Sequence, residues 1–257
     1  MTALVAVICG LFGLAVGSFL NVVIHRVPRK ESVVHPRSRC PGCGTQLAAR
    51  DNVPVLSWVL LRRRCRSCGE PISVRYPLVE LATAALFVSA GLRFGAAWEL
   101  PAFLLFLASL AAITAIDLEH YIIPNRVVYP TLFGGFGLLV VAAAAEGDWN
   151  ALLHALIGSA VAWAFLLTLH LISPRSMGFG DVRLAAVLGL FLGWLSLGHV
   201  FLGLFLGFLL GAVLSVLLIA LRLKGRKDHI PFGPFLAAGA VIAVLAGSTI
   251  LAWYQPS

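Results

Sequence analysis

Long runs of apolar residues dominate the chain, and short polar stretches separate them. A helix that crosses a bilayer needs about 20 mostly apolar residues. The chain offers eight such runs, at about 3–24, 77–96, 99–116, 127–145, 151–172, 182–198, 199–221 and 232–253. Very short turns join the second run to the third and the sixth to the seventh. The pattern predicts an all-α polytopic membrane protein with about eight transmembrane helices.

Composition strengthens this prediction and excludes the soluble classes. The 257 residues are 60% hydrophobic and 12% charged, whereas a soluble domain is about half apolar and a quarter charged. No Lys or Arg precedes the first apolar run. We therefore expect that run to be a first span and not a cleaved signal peptide.

The net charge of +8 is concentrated beside the apolar runs. Eleven of the 19 Lys and Arg residues lie between Arg26 and Arg75, and four lie between Arg222 and Lys227. Clusters beside spans are typical of membrane topology, so we expect a lipid bilayer and no nucleic acid as the partner of this charge.

Eight spans would place alternate connections on opposite sides of the membrane. One side would hold 18 basic residues, counting Arg183 at the mouth of its span, and the other side would hold only Arg93. By the positive-inside rule, the basic side is cytoplasmic and both termini lie outside. The cytoplasmic connections would be 25–76, 117–126, 173–181 and 222–231.

Three parts follow from this organisation. Residues 1–24 would be the first transmembrane helix, 25–76 a cytoplasmic module, and 77–257 a seven-helix membrane domain. The module is polar, basic and rich in turns. Because about fifty residues build little core of their own, such a module usually needs a metal ion or disulfides.

Four cysteines of the module suggest which of these it uses. They form two pairs, each with two intervening residues and a following glycine, in Cys40-Pro-Gly-Cys43-Gly44 and Cys65-Arg-Ser-Cys68-Gly69. This spacing turns both sulfurs of a pair towards one ion, with the glycine bending the backbone so that amides face the thiolates, and predicts a closed, structural zinc site. A reducing cytoplasm disfavours disulfides. Another metal and redox chemistry are the alternatives. We expect His35 to be a surface residue and Cys9 a small buried one.

Two aspartates stand at the ends of apolar runs. Asp117 closes the third run and is followed by Pro124-Asn125, which should end one helix and start the next. Asp181 closes Met177-Gly-Phe-Gly-Asp181, directly before an apolar helix. We expect Gly178 and Gly180 to adopt positive φ and to let the backbone approach a substrate closely. A simple helix N-cap is the alternative role for Asp181.

The pair is more informative than either aspartate. Ionisable groups at a membrane are costly and point to function, and both carboxyls fall at the cytoplasmic ends of spans. Two close carboxylates do not both ionise easily, so one stays protonated as an acid while the other acts as a base. Asp117 and Asp181 are therefore the predicted catalytic pair of a membrane aspartyl protease.

Several motifs, in order along nearly the whole chain, resemble the type IV prepilin peptidases, which are leader peptidase/N-methyltransferases of bacterial inner membranes. Besides the two cysteine pairs, the resemblance is carried by Gly17-Ser-Phe-Leu-Asn21, Asp51-Asn-Val-Pro-Val-Leu-Ser-Trp58, Pro71-Ile-Ser-Val-Arg-Tyr-Pro-Leu-Val-Glu80, Asp117 with Pro124-Asn125, Met177-Gly-Phe-Gly-Asp-Val-Arg-Leu184 and Pro231-Phe-Gly-Pro-Phe-Leu236.

The resemblance implies that Asp117 and Asp181 cleave prepilins or secretion pseudopilins after a glycine, at the cytoplasmic face. The new N-terminal residue would then be methylated from S-adenosylmethionine. Asn21 and Glu80 are candidate cofactor-binding residues, with helix capping and packing as the alternative. Two other functions stay open: a proton-coupled transporter, and a non-enzymatic scaffold whose zinc module docks a partner.

Overall fold

The computed structural model describes residues 2–174, 177–223, 225 and 230–254. This part of the chain is helical, with two isolated β-bridges and no longer strand. It falls into two compact units, Met1–Leu100 and Pro101–Ser257. The helices are α1 Thr2–Arg26, α2 Leu56–Leu60, α3 Arg75–Phe94, α4 Leu100–His120, α5 Asn125–Glu146, α6 Trp149–Ile172, α7 Phe179–Leu195, α8 Leu197–Ala220 and α9 Gly233–Tyr254, with a 3-10 turn at Ala49–Asp51.

The predicted all-α membrane architecture is confirmed, with one difference in the spans. Among the described residues, seven helices are long and apolar enough to cross a membrane, namely α1, α3, α4, α5, α6, α8 and α9. The remaining predicted run, the sixth at 182–198, corresponds to α7, which has 17 residues and ends at Leu195. Ser196 accepts the N–H of His199 and so begins α8.

The first unit is built on the antiparallel pair α1 and α3. A Cβ on Gly17 would lie 2.7 Å from Glu80 Cα, so the two backbones are almost in contact. One turn further along α1, the Asn21 side-chain amide donates to the Tyr76 carbonyl at 3.1 Å. The end of α1 therefore lies beside the beginning of α3, and residues 27–74 connect these two ends.

The second unit is arranged around α7, which packs against α5, α6, α8 and α9. Most of α7 is buried, as expected for a helix that is apolar on all sides. Its closest approach is to α6, where a Cβ on Gly189 would lie 2.2 Å from the Gly158 carbonyl oxygen. The rings of Phe106 and Phe191 stack at 4.3 Å and join α4 to this core.

The glycines at four-residue spacing in α8 serve helix packing, as predicted from their period. A Cβ on Gly207 would lie 3.1 Å from Leu236 Cα in α9, and one on Gly203 would lie 3.6 Å from Ala240 Cα. The third glycine, Gly211, faces the Phe232 ring just before α9.

Candidate active site and metal centre

Asp117 lies in the last turn of α4 and is 5% exposed. The helix ends there because Tyr121 adopts the left-handed conformation (φ 57) and its N–H bonds the Asp117 carbonyl at 2.9 Å. Pro124 is extended and α5 starts at Asn125, as predicted. The carboxyl oxygen Asp117 Oδ2 accepts the N–H of Gly233, the first residue of α9, at 3.0 Å.

Asp181 is the third residue of α7 and is 7% exposed. Its Oδ2 accepts the N–H of Gly178 at 3.1 Å. Within the described part of the chain, no hydrogen bond reaches its other oxygen, Oδ1. The alternative role as an N-cap is wrong, because Gly178 is the N-cap residue and Asp181 bonds the amide of that residue.

The expectation that Gly178 and Gly180 adopt positive φ is wrong. Gly178 has φ −70, and Gly180 lies inside the first turn of α7. The glycines are required by space: a Cβ on Gly180 would lie 3.0 Å from Ile123 Cβ, and one on Gly178 would lie 3.3 Å from Asp181 Oδ2. They let the turn before α7 lie against the segment that follows Asp117.

The two aspartates share one cavity of about 480 Å³. Three segments of the second unit form the cavity, which is lined by Asp117, Tyr121, Ile122, Ile123, Pro174, Met177, Gly178, Gly180, Asp181, Arg183, Ile230, Pro231 and Phe232. A paired carboxyl site of this kind can activate water and protonate a carbonyl oxygen.

Sequence reasoning did not assign several contacts that position this pair. Gly233, in the motif Pro231-Phe-Gly-Pro, supplies the amide that bonds Asp117. The sequence could have indicated this contact, because the predicted span 232–253 begins on the side of the membrane where the span with Asp117 ends. Arg183 donates to Asn125 Oδ1 and lies 4.6 Å from the centre of the Phe179 ring, which ties α7 to the start of α5.

His170 is a further positioning contact. Its Nδ1 is 2.9 Å from the carbonyl oxygen of Met177, and its ring meets that of Phe179 edge-on at 5.5 Å. The end of α6 thereby holds the turn that carries Asp181.

The four paired cysteines of the first unit come together as predicted. Their Sγ atoms all lie within 4.8 Å of one another. Cys40 Sγ and Cys68 Sγ are 3.8 Å apart, which matches the sulfur–sulfur separation of about 3.8 Å that tetrahedral geometry requires at a zinc–sulfur distance of about 2.3 Å.

The two turns have the same backbone geometry. In each, the glycine after the second cysteine has positive φ, 70° at Gly44 and 75° at Gly69, and its N–H bonds the carbonyl of the first cysteine at 2.9 Å. The bending role predicted for these glycines is confirmed. Backbone amides also face the Cys65 thiolate, whose pKa they lower.

The electrostatics of this cluster favour a cation. Hydrogen bonds from the Thr45 side chain and backbone lower the pKa of Cys43 to about 6. The pKa of Cys68 is raised to about 12: the Glu70 amide lowers it, but desolvation and the neighbouring sulfurs outweigh that effect. Four thiolates this close need a positive ion between them, and the donor set fits zinc. His35 is exposed and Cys9 is buried in α1, as expected.

The two cofactor candidates, Asn21 and Glu80, lie on α1 and α3. Asn21 is 3% exposed and has no hydrogen bond to Oδ1 among the described residues. Glu80 Oε2 accepts the Val55 N–H at 2.7 Å and so holds the loop. Glu80 is thus in direct contact with the segment 25–76.

Together, the fold and these two sites define a polytopic helical membrane protein with paired aspartates and a four-cysteine cluster. A model of the bacterial peptidase A24 N-terminal domain matches residues 11–94. A model of the type IV leader peptidase family matches residues 104–220. No solved structure gives a significant match.

Curated relatives match over most of the chain. The prepilin leader peptidase/N-methyltransferase of Aeromonas hydrophila is 40% identical over 95% of this chain and 91% of the relative. Proteins of the same name are 43% identical in Myxococcus xanthus, over 84% of this chain and 64% of the relative, and 34% identical in Bacillus subtilis, over 95% of both. The chain belongs to the type IV leader peptidase family and is an integral protein of the inner membrane.

Proposed function

We propose that this chain is a prepilin leader peptidase in which Asp117 and Asp181 are the catalytic pair, and that it N-methylates the product. The observation that supports cleavage most strongly is the shared cavity: two buried aspartates from α4 and α7 line it. The names of the relatives supply the substrate class. Neither the transporter nor the scaffold function is supported by the family.

The pair acts as one unit with a single shared proton. The ionised carboxylate takes a proton from water as the water oxygen attacks the scissile carbonyl carbon. The protonated carboxyl gives its proton to the carbonyl oxygen. The carboxyl that took the water proton then gives it to the amide nitrogen, while the other carboxylate takes a proton from a hydroxyl of the tetrahedral intermediate. The peptide bond breaks, and the pair regains its single shared proton. The backbone amides of Gly233 and Gly178 hold one oxygen of each carboxyl, which leaves the remaining oxygens for water and substrate.

Substrates would be prepilins or pseudopilins that approach from the cytoplasm. The asymmetry of basic residues supports this orientation, with both termini outside. Some of those residues, Arg175, Lys224, Arg226 and Lys227, lie outside the described residues. The proposed division into 1–24, 25–76 and 77–257 assigns cleavage to the last part and zinc to the second.

S-adenosylmethionine would supply the methyl group for the second reaction. Asn21 is the better candidate for holding it, because its buried amide oxygen is available as an acceptor, whereas Glu80 already bonds Val55. We expect Asn21→Ser to weaken S-adenosylmethionine binding, measured by calorimetry, and to lower methylation of a pre-cleaved pilin while cleavage continues. Equal loss of cleavage and methylation would contradict this assignment.

The experiment on the peptidase site uses Asp117→Asn and Asp181→Asn in purified protein. Each change keeps the shape of the side chain but removes the carboxyl chemistry, so cleavage of a prepilin should fall by about a thousandfold or more. Glu119→Gln is the matched control, since Glu119 lies on the same turn as Asp117 without lining the cavity. Full cleavage by either Asn variant would refute the mechanism.

A further inference from the structure

The short helix α2 exposes an apolar stripe. Leu56, Val59 and Leu60 are 53%, 56% and 70% exposed. Their spacing places them on one face of the helix. A helix in a water-exposed loop normally turns such a face inward.

Polar contacts hold α2 in this orientation. Ser57, on the inner face, is buried, and its hydroxyl donates to the Arg50 carbonyl at 3.1 Å. The Trp58 indole N–H donates to the Ile72 carbonyl at 3.1 Å. The polar face of the helix is therefore turned inward, and the apolar stripe stays outside.

The start of α2 lies at the level of the membrane edge. Val55, the residue before it, bonds Glu80 in the second turn of α3, and α3 at that level packs against Gly17. Along α1, the rise from Thr2 to Asn21 is about 29 Å, close to the hydrocarbon thickness of about 30 Å. A chain held beside Gly17 and Asn21 is thus near the headgroups.

Three arginines follow the stripe. Arg62, Arg63 and Arg64 are all exposed. Arg62 and Arg63 have φ of 50° and 64°, a left-handed conformation that is rare outside glycine and asparagine. The turn is held because the Arg63 N–H bonds the Trp58 carbonyl at 2.9 Å and the Arg63 guanidinium lies 4.8 Å from the centre of the indole ring.

We propose that Leu56, Val59, Leu60 and Arg62–Arg64 form a lipid-binding surface, called the α2 surface, that lies in the headgroup layer of an anionic leaflet. The apolar stripe contacts the upper acyl chains, and the guanidinium groups bind lipid phosphates. Apolar area and positive charge are the two components of interfacial binding. The half-buried Trp58 between them is typical of this layer.

Photo-crosslinking from a single position tests this surface. The photoreactive residue p-benzoylphenylalanine would replace Leu60 in one protein and Val34 in another, since both side chains are 70% exposed. The full chain is placed in nanodiscs of phosphatidylcholine and phosphatidylglycerol, illuminated and analysed by mass spectrometry. Thermal unfolding checks that both proteins are folded. We expect at least about fivefold more lipid adduct at position 60. Equal yields at the two positions, or adducts with protein alone, would overturn the proposal.

The arginines are tested in the Leu60-substituted protein. Arg62→Gln, Arg63→Gln and Arg64→Gln together should lower the ratio of phosphatidylglycerol to phosphatidylcholine adducts by about fivefold or more, because each basic residue contributes about that factor at an anionic surface. The control combines Arg37→Gln and Arg39→Gln, which are exposed elsewhere in the loop. An unchanged ratio in the triple variant, or an equal fall in the control, contradicts the role of Arg62–Arg64.

Discussion

Gly233→Ala is the most specific perturbation of the catalytic pair, because it shifts the position of the Asp117 side chain and leaves both carboxyl groups chemically unchanged. A Cβ at position 233 would lie 2.7 Å from Asp117 Oδ2 and 3.2 Å from Ile123 Cδ1. Ordinary contact begins at 3.4 Å, so the carboxyl must move by about 0.7 Å or the helix start must withdraw. Either response weakens the 3.0 Å bond from the Gly233 amide.

The expected loss follows from that displacement. A hydrogen bond to a charged group is worth about 1.5–3 kcal/mol, and a misplacement of about 1 Å can lower a catalytic rate about a hundredfold. We therefore expect kcat for prepilin cleavage to fall about 10- to 100-fold, with methylation of a pre-cleaved pilin unchanged.

The assay is cleavage by purified protein, read by gel shift against time. Gly137→Ala is the matched control, since a Cβ built on that glycine of α5 has no atom of another described segment within 4 Å. Alanine is also a better helix former than glycine, so the change in helix propensity does not destabilise either variant. If Gly233→Ala cleaved at the rate of the Gly137→Ala protein, the positioning role of the Gly233 amide would be refuted.

Two further perturbations address the rest of the molecule. Purified protein should carry about one zinc ion per chain. Without the ion, the pKa of Cys68 is about 12, so the bound ion must hold this thiol deprotonated. Protons compete with zinc for the thiolates, and acidification should therefore release the ion. Metal analysis across a pH series checks this. An unchanged zinc content in the protein that carries both Cys40→Ser and Cys68→Ser would contradict the predicted site. Gly189→Ala, whose Cβ would lie 2.2 Å from the Gly158 carbonyl oxygen, should lower the free energy of unfolding by about 1–3 kcal/mol; unchanged thermal unfolding relative to Gly137→Ala would show that α6 and α7 separate without cost.

Much of this architecture follows from local signals. A run of apolar residues long enough to cross a bilayer is an unambiguous helix, so the helix ends fall within a few residues of the predicted ones. The spacing of Cys40, Cys43, Cys65 and Cys68 is equally local, because each turn fixes its own pair of sulfurs.

Packing between distant segments was less predictable. Glycine at positions 178 and 180 suggested backbone freedom, but the reason for glycine is the nearness of Ile123 and of the Asp181 carboxyl, which only the folded chain reveals. The predicted run 182–198 has the same length as α7 but lies three residues too far along the chain, because the apolar sequence continues through Ser196 into α8. The outward-facing stripe of α2 depends on contacts from Ser57 and Trp58 to distant carbonyls.

The most direct test of the catalytic pair is the intact mass of a prepilin co-expressed with this protein. With the unaltered chain, the pilin should lack its leader and carry one added methyl group. With Asp181→Asn, the pilin should keep its leader at its full mass, because the exposed N-terminus needed for methylation is never formed. A cleaved pilin in the presence of Asp181→Asn would contradict the proposed mechanism.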